Sequence, residues 1–173
     1  MGVTVLRPLL LALLLLAVAA PAAGAATFPD FPHTKITVGK GMGGITVGQE
    51  HTSALAAWNA AATASQCGSD GCIWTDNANR VQTGSTGRMR INWRDDAITS
   101  IYLEAGKKKS VLNTFKTSKG VRLGTKVKQL KKKYGKKLTK SPALAGMYEI
   151  RGAVKTQFVT NGKRVTGIYL TIY

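Results

Sequence analysis

The residue types that most often carry catalysis are scarce in this sequence. His33 and His51 are the only histidines, and Cys67 and Cys72 the only cysteines. Glu50 and His51 are neighbours, on opposite sides of a strand or about 100° apart on a helix, so they do not converge on one substrate. His33 lies in a Pro-rich stretch, and Asp95-Asp96 has the composition of a turn rather than of a general acid and base. Gly39 to Gly48 is glycine-rich but lacks the Lys-Ser/Thr that closes a phosphate-binding loop. With no nucleophile motif and no metal-ligand spacing, the expectation is a non-enzyme with no metal and no cofactor. A small secreted hydrolase whose site is assembled only in space is the minor alternative. Cys67 and Cys72 enclose only Gly-Ser-Asp-Gly. Two thiols leave a tetrahedral metal site short of ligands, and an exported context favours a disulfide.

What the sequence does offer is binding chemistry, of two kinds. The first is Tyr and Arg on alternating segments. Residues 88–94 set Met89, Ile91 and Trp93 against Arg88, Arg90, Asn92 and Arg94. Residues 97–105 set Thr99, Ile101 and Leu103 against Ser100, Tyr102 and Glu104, with Ile98 on the latter side. In the last segment Ile168, Leu170 and Ile172 oppose Gly167, Tyr169, Thr171 and Tyr173. Such alternation marks an antiparallel sheet with one face on a core and the other in water. Arg88, Arg90, Arg94, Tyr102, Lys155, Gln157 and Tyr169 are then expected on the open face. Tyr and Arg are enriched where proteins bind partners, because both join large contact area to polar handles.

The second kind is charge. Residues 107–140 hold fourteen Lys or Arg and no acid. Lys107, Lys108 and Lys109 form one cluster; Lys128, Lys131, Lys132, Lys133, Lys136 and Lys137 form another. Such a field holds polyanions through counterion release, with steep salt dependence, and nucleic acid in vitro is one expected ligand.

The elements that must position these residues recur. Gly44-Ile45-Thr46-Val47-Gly48 matches Gly120-Val121-Arg122-Leu123-Gly124 at an offset of 76, and 98–103 matches 165–170 at an offset of 67. The first copy is nine residues longer, which the Cys67–Cys72 loop is expected to absorb. Each copy runs from a glycine-bounded start through a helix to strands. Val127, Leu130 and Tyr134 share one helical face, with Thr125 as expected cap and Gly135 as left-handed stop. The Ala-rich residues 52–64, carrying Leu55 and Trp58, predict the first helix. Asn161-Gly162 predicts a hairpin, and Asp95-Asp96 holds the same place in the first copy.

At the N-terminus, Arg7, an apolar run over residues 9–20 and Ala23-Gly24-Ala25 predict a cleavable signal peptide over residues 1–25. The apolar run falls short of the roughly 20 residues that cross a bilayer. Cleavage would remove one of 17 net positive charges. A secreted, strongly basic chain is thus expected, extracellular or held at the cell envelope, with an anionic or acidic macromolecule as partner. Its segments would be 26–43, an extended lead-in; 44–106, repeat one; and 107–173, repeat two.

Gly-Val-Arg-Leu-Gly-Thr, an amphipathic helix closing on Tyr134-Gly135, and a hairpin ending in Val-Thr-Gly-Ile-Tyr-Leu resemble one repeat of a known superfamily. Its members are the β-lactamase inhibitory proteins and the small outer-membrane-assembly lipoproteins. Two such repeats in one exported chain resemble the tandem form of the inhibitory proteins. The resemblance covers about residues 33–173 and implies an α+β fold of two tandem repeats, each a helix or helical pair packed on one face of an antiparallel sheet. It also implies an inhibitor-like protein-binding scaffold. The chain differs from that family in its single Cys pair and its heavily basic charge.

Overall fold

A computed structural model describes residues 28–60, 66–75, 87–106, 110–142 and 144–172. The expected signal peptide and the cluster Lys107, Lys108 and Lys109 lie outside the described residues. The architecture is mixed α+β and dominated by strands in two sheets.

The smaller sheet has the order β3-β2-β1-β8, with β1 (Lys35–Thr37), β2 (Gly41–Met42), β3 (Ile45–Thr46) and β8 (Lys116–Thr117). The lead-in segment is therefore folded rather than merely extended. Gly39, at φ 73°, turns the chain so that β1 pairs with β2 antiparallel, and on its other side β1 pairs with β8 in parallel.

The larger sheet carries β4 (Gln66–Cys67), β5 (Gly71–Thr75), β6 (Arg88–Arg94), β7 (Ala97–Glu104), β9 (Thr139–Lys140), β10 (Met147–Ile150), β11 (Lys155–Thr160) and β12 (Val165–Thr171). Its order, β4-β5-β6-β7-β12-β11-β10-β9, is antiparallel throughout and sets two four-stranded halves back to back at β7 and β12. Cys67 and Cys72 face each other across β4 and β5 and are disulfide-bonded, with Cα atoms 4.1 Å apart.

Two bulges correct the expected alternation. Asn92 pairs with Ser100 but Trp93 with Ile98, so Thr99 is the extra residue. That shift returns Ile98 to the core face, fully buried, rather than leaving it beside Tyr102. In the other half Val159 pairs with Gly167 and Thr160 with Val165, leaving Thr166 over. The extra threonines act alike: Thr99 Oγ1 donates to Asn92 O at 3.3 Å and Thr166 Oγ1 to Val159 O at 3.4 Å. Ile172, expected on the core face, lies past the end of β12 and is 39% exposed.

Helix α1 (His51–Ala57) starts where the Glu50 carboxylate accepts the Ser53 N–H at 3.0 Å. It stops earlier than its alanines predict. Trp58 is drawn fully into the core, where its Nε1 donates to Gly43 O at 2.7 Å, and Asn59 follows at φ 47°. Residues 61–64 of the expected helix lie outside the described residues. Helix α2 (Val127–Tyr134) buries Leu130 and Tyr134 and ends on Gly135 at φ 52°. Thr125 does not cap it: its hydroxyl accepts the Arg122 N–H at 3.0 Å, and Lys126 occupies the cap position without a side-chain bond.

The junction between helix and hairpin is built twice. Gly48 N donates to Ile98 O at 2.7 Å, Ile98 N to Gln49 O at 2.8 Å and His51 N to Asp96 O at 2.8 Å. Moved by the two sequence offsets, these become Gly124 N to Val165 O at 2.8 Å, Val165 N to Thr125 O at 2.9 Å and Val127 N to Lys163 O at 3.0 Å. The strand register can be compared at the same two offsets. The offset is still 76 at β5 and β10, where Trp74 pairs with Met89 and Ile150 with Thr156, and becomes 67 only at β6 and β11.

One core joins these layers. Trp58 meets Trp74 edge-on at 6.0 Å, and Tyr134 tilts against Phe158 at 5.5 Å. Among the described residues no helix is long and apolar enough to cross a membrane.

Candidate functional site: the open sheet face

The strand register lines up a single row of residues across all eight strands: Gln66, Ile73, Arg90, Tyr102, Tyr169, Gln157, Glu149 and Thr139. It lies opposite the face that buries Met89, Ile91, Ile101, Leu103, Ile168 and Leu170 against the core. Tyr102 and Tyr169 are Cα partners at its middle, where the two halves meet, and their rings stand edge to face at 4.8 Å.

A second row begins Arg88, Glu104, Gly167, and it holds Tyr169 in place. The Tyr169 hydroxyl donates to Glu104 Oε1 at 2.7 Å, and Arg88 Nε is ion-paired with the same carboxylate. Gly167 makes room for this arrangement, since a Cβ there would come within 3.0 Å of the Tyr169 ring. Burial, reinforced by the bond to Glu104, pushes the Tyr169 phenol well above its ordinary range, so it remains a neutral donor at physiological pH. The bond from Arg88 to Glu104 in turn raises the guanidinium. The result is a hollow of ≈ 430 Å³ with Arg88, Arg90, Tyr102, Glu104 and Tyr169 in its wall.

Of the residues expected on this face, Arg88, Arg90, Tyr102, Gln157 and Tyr169 stand in these two rows, and Lys155 in the next, through Ser100 and Thr171. Arg94 is at the hairpin end, in the wall of the neighbouring hollow with Arg90 and Tyr102. Beside it Asp95 and Asp96, at φ 49° and 61°, form the expected turn. His51 stacks on Trp93 at 4.5 Å and lies 3.4 Å from Asp96, while His33 accepts the Lys35 N–H in an exposed loop. Among the described residues no three His, Cys, Asp or Glu cluster as metal ligands.

Glu149 was not visible from the sequence, because only the β10–β11 register brings it into the row. Its side chain is 5% exposed and bonded by Arg151 at 2.7 Å, with Lys155 Nζ at 3.9 Å. The bond from Arg151, helped by Lys155 and opposed by burial, holds its carboxyl below the usual range. A carboxyl depressed on folding stabilises the fold above its unfolded pKa, and that contribution is lost as pH falls through the folded one. In urea titrations the wild type is therefore expected to lose stability between about pH 5 and pH 3 more steeply than Glu149→Gln. Parallel curves would remove Glu149 as the cause.

On the other side of the molecule Lys128, Lys131, Lys132 and Lys133 of α2, with Lys136 and Lys137 of the turn after it, are all exposed. Lys131 lies over the Tyr148 ring at 5.2 Å. Lys119 Nζ donates to Lys133 O at 2.6 Å, and Lys133 Nζ returns a bond to Lys119 O.

No protein family, curated protein or solved structure matches this chain, so the site rests on its own geometry.

Proposed function

We propose that this chain is a secreted, non-catalytic binding protein, inhibitor-like in form, that grips a protein partner on the open face of its large sheet. The observation that carries the reading is the Tyr102–Tyr169 pair at the centre of a continuous eight-strand row, with Tyr169 held by Glu104 and, through it, Arg88. Aromatic anchors fixed before binding lose little conformational freedom on contact, which is what a hot spot requires. Arg90, exposed beside Tyr102, supplies a cation for a partner carboxylate. In this reading the chain is a tandem duplication, supported by the doubled junction bonds and by bulges at matching places. The resemblance to the β-lactamase inhibitory proteins supports the same architecture. Export is supported by the N-terminal pattern, with which the disulfide is compatible.

The test is capture from culture and envelope fractions on immobilised protein, washed at high salt, with wild type and Arg90→Ala/Tyr169→Ala in parallel. A protein kept by the wild type and lost by the double variant is the expected result. Equal retention by both would remove the sheet face as the binding site.

A further inference from the structure

The two halves share a backbone framework but not a charge, and the difference converges on one place. Beside α2 lies a hollow of ≈ 790 Å³ whose wall includes Arg122, Gln129, Lys133, Asn161 and Arg164. Among the described residues no acidic and no aromatic side chain lines it. Arg164 Nη1 is steadied by Gly124 O at 2.8 Å. None of these three cations is in an ion pair among the described residues, whereas Arg88 on the sheet face is.

The other half serves as an internal control. By the offsets that superpose the junction bonds, Arg122 corresponds to Thr46, Lys133 to Ala57 and Arg164 to Ala97. The local bonds are preserved: Thr46 N donates to Gln49 Oε1 at 3.1 Å as Arg122 N does to Thr125 Oγ1 at 3.0 Å, and the bridge Glu50–Ala97 matches Lys126–Arg164. The framework thus forms without a single cation at these positions. Nearby, Glu50 corresponds to Lys126 and Asp96 to Lys163, and α1 has no lysine where α2 has four. Lysines in the last turn of α2 suit its dipole, but Arg122 and Arg164 are not on the helix, and among the described residues the only local bond from either guanidinium is that of Arg164 to Gly124 O.

We infer that this hollow is a binding site for a linear phosphate polymer without aromatic bases. Its guanidiniums engage one phosphate unit, and Lys133 holds the charge that follows. Two arginines favour phosphate because their planar forks match its oxygens. Binding of single-stranded nucleic acid would draw on aromatic platforms for its bases, and among the described residues this wall has none. The site is on the helix side of the second half and does not use the sheet face.

The probe is long-chain inorganic polyphosphate, titrated against the disulfide-intact protein over a range of salt concentrations, with oligo-dT of equal charge in parallel. Arg122→Thr/Lys133→Ala/Arg164→Ala installs the residues that the first half already carries. It is expected to weaken polyphosphate binding on the order of 100-fold and to reduce the salt slope by about 2. A comparison triple outside the hollow, Lys128→Thr/Lys132→Ala/Lys137→Ala, removes the same charge and is expected to cost less than about 10-fold. If the first triple does not fold, Arg122→Gln/Lys133→Gln/Arg164→Gln keeps the side-chain stems and makes the same comparison. Equal losses in the two triples would overturn the site, as would no binding by the wild type. Oligo-dT bound as tightly as polyphosphate would overturn its ligand class.

Discussion

Trp58→Ala is expected to lower the unfolding free energy by about 3–5 kcal/mol, enough to bring a domain of ordinary stability close to its unfolding threshold. Trp58 is fully buried at the end of α1, with Phe31 edge-on at 5.0 Å and Trp74 at 6.0 Å. Removing the indole leaves a cavity that three elements must close: the N-terminal segment, α1 and β5. It also leaves Gly43 O without the donor that meets it at 2.7 Å. Trp58→Phe separates the two effects, since it keeps most of the apolar volume and strands the carbonyl, at about 1–3 kcal/mol. Urea unfolding of both variants measures the difference. A small loss in Trp58→Ala would mean that the first half does not depend on this anchor.

Gly41→Ala is expected to cost at least about 3 kcal/mol, by a different mechanism. A Cβ on Gly41 would stand 2.0 Å from Ile45 O and 2.8 Å from Thr46 Cα, and backbone cannot move aside as a side chain can. The β2–β3 hairpin would have to open, exposing Met42 and Ile45, each 1% exposed in the native fold. Gly48→Ala is the useful comparison: nothing lies within 4 Å of its added Cβ, so only the positive φ of 90° opposes it. It is expected to cost about 1–2 kcal/mol. Midpoints from thermal or urea unfolding rank the pair. Gly48→Ala as damaging as Gly41→Ala would mean that backbone conformation, not close approach, governs the small sheet.

Some of this protein was legible in its residues because it depends on local chemistry. The period of two in 88–94, 97–105 and 167–173 assigned Arg90, Tyr102 and Tyr169 to the face away from the core, since successive side chains on a strand point to opposite sides. Asp95-Asp96 and Asn161-Gly162 marked both hairpins because each turn needs residues that tolerate positive φ. Gly135 ended α2 for the same reason, and five residues of separation allowed Cys67 and Cys72 to meet across a hairpin.

Tertiary structure decided what local chemistry could not. Ile98 returned to the core because a bulge at Thr99 changes which residue pairs with Trp93, and pairing belongs to two strands rather than one. Helix α1 stopped at Ala57 although its alanines favour continuing, because the core takes up Trp58 and burial outweighs tenths of a kcal/mol of propensity. Tyr102 faced Tyr169, and Glu104 came to hold Tyr169, only when β7 and β12 met; sixty-five residues separate that last pair. Arg122, Lys133 and Arg164 look in sequence like three members of a dispersed basic stretch. They share one hollow because α2, the loop before it and the β11–β12 hairpin fold around it, and such long-range closure is set by the packing of the whole chain.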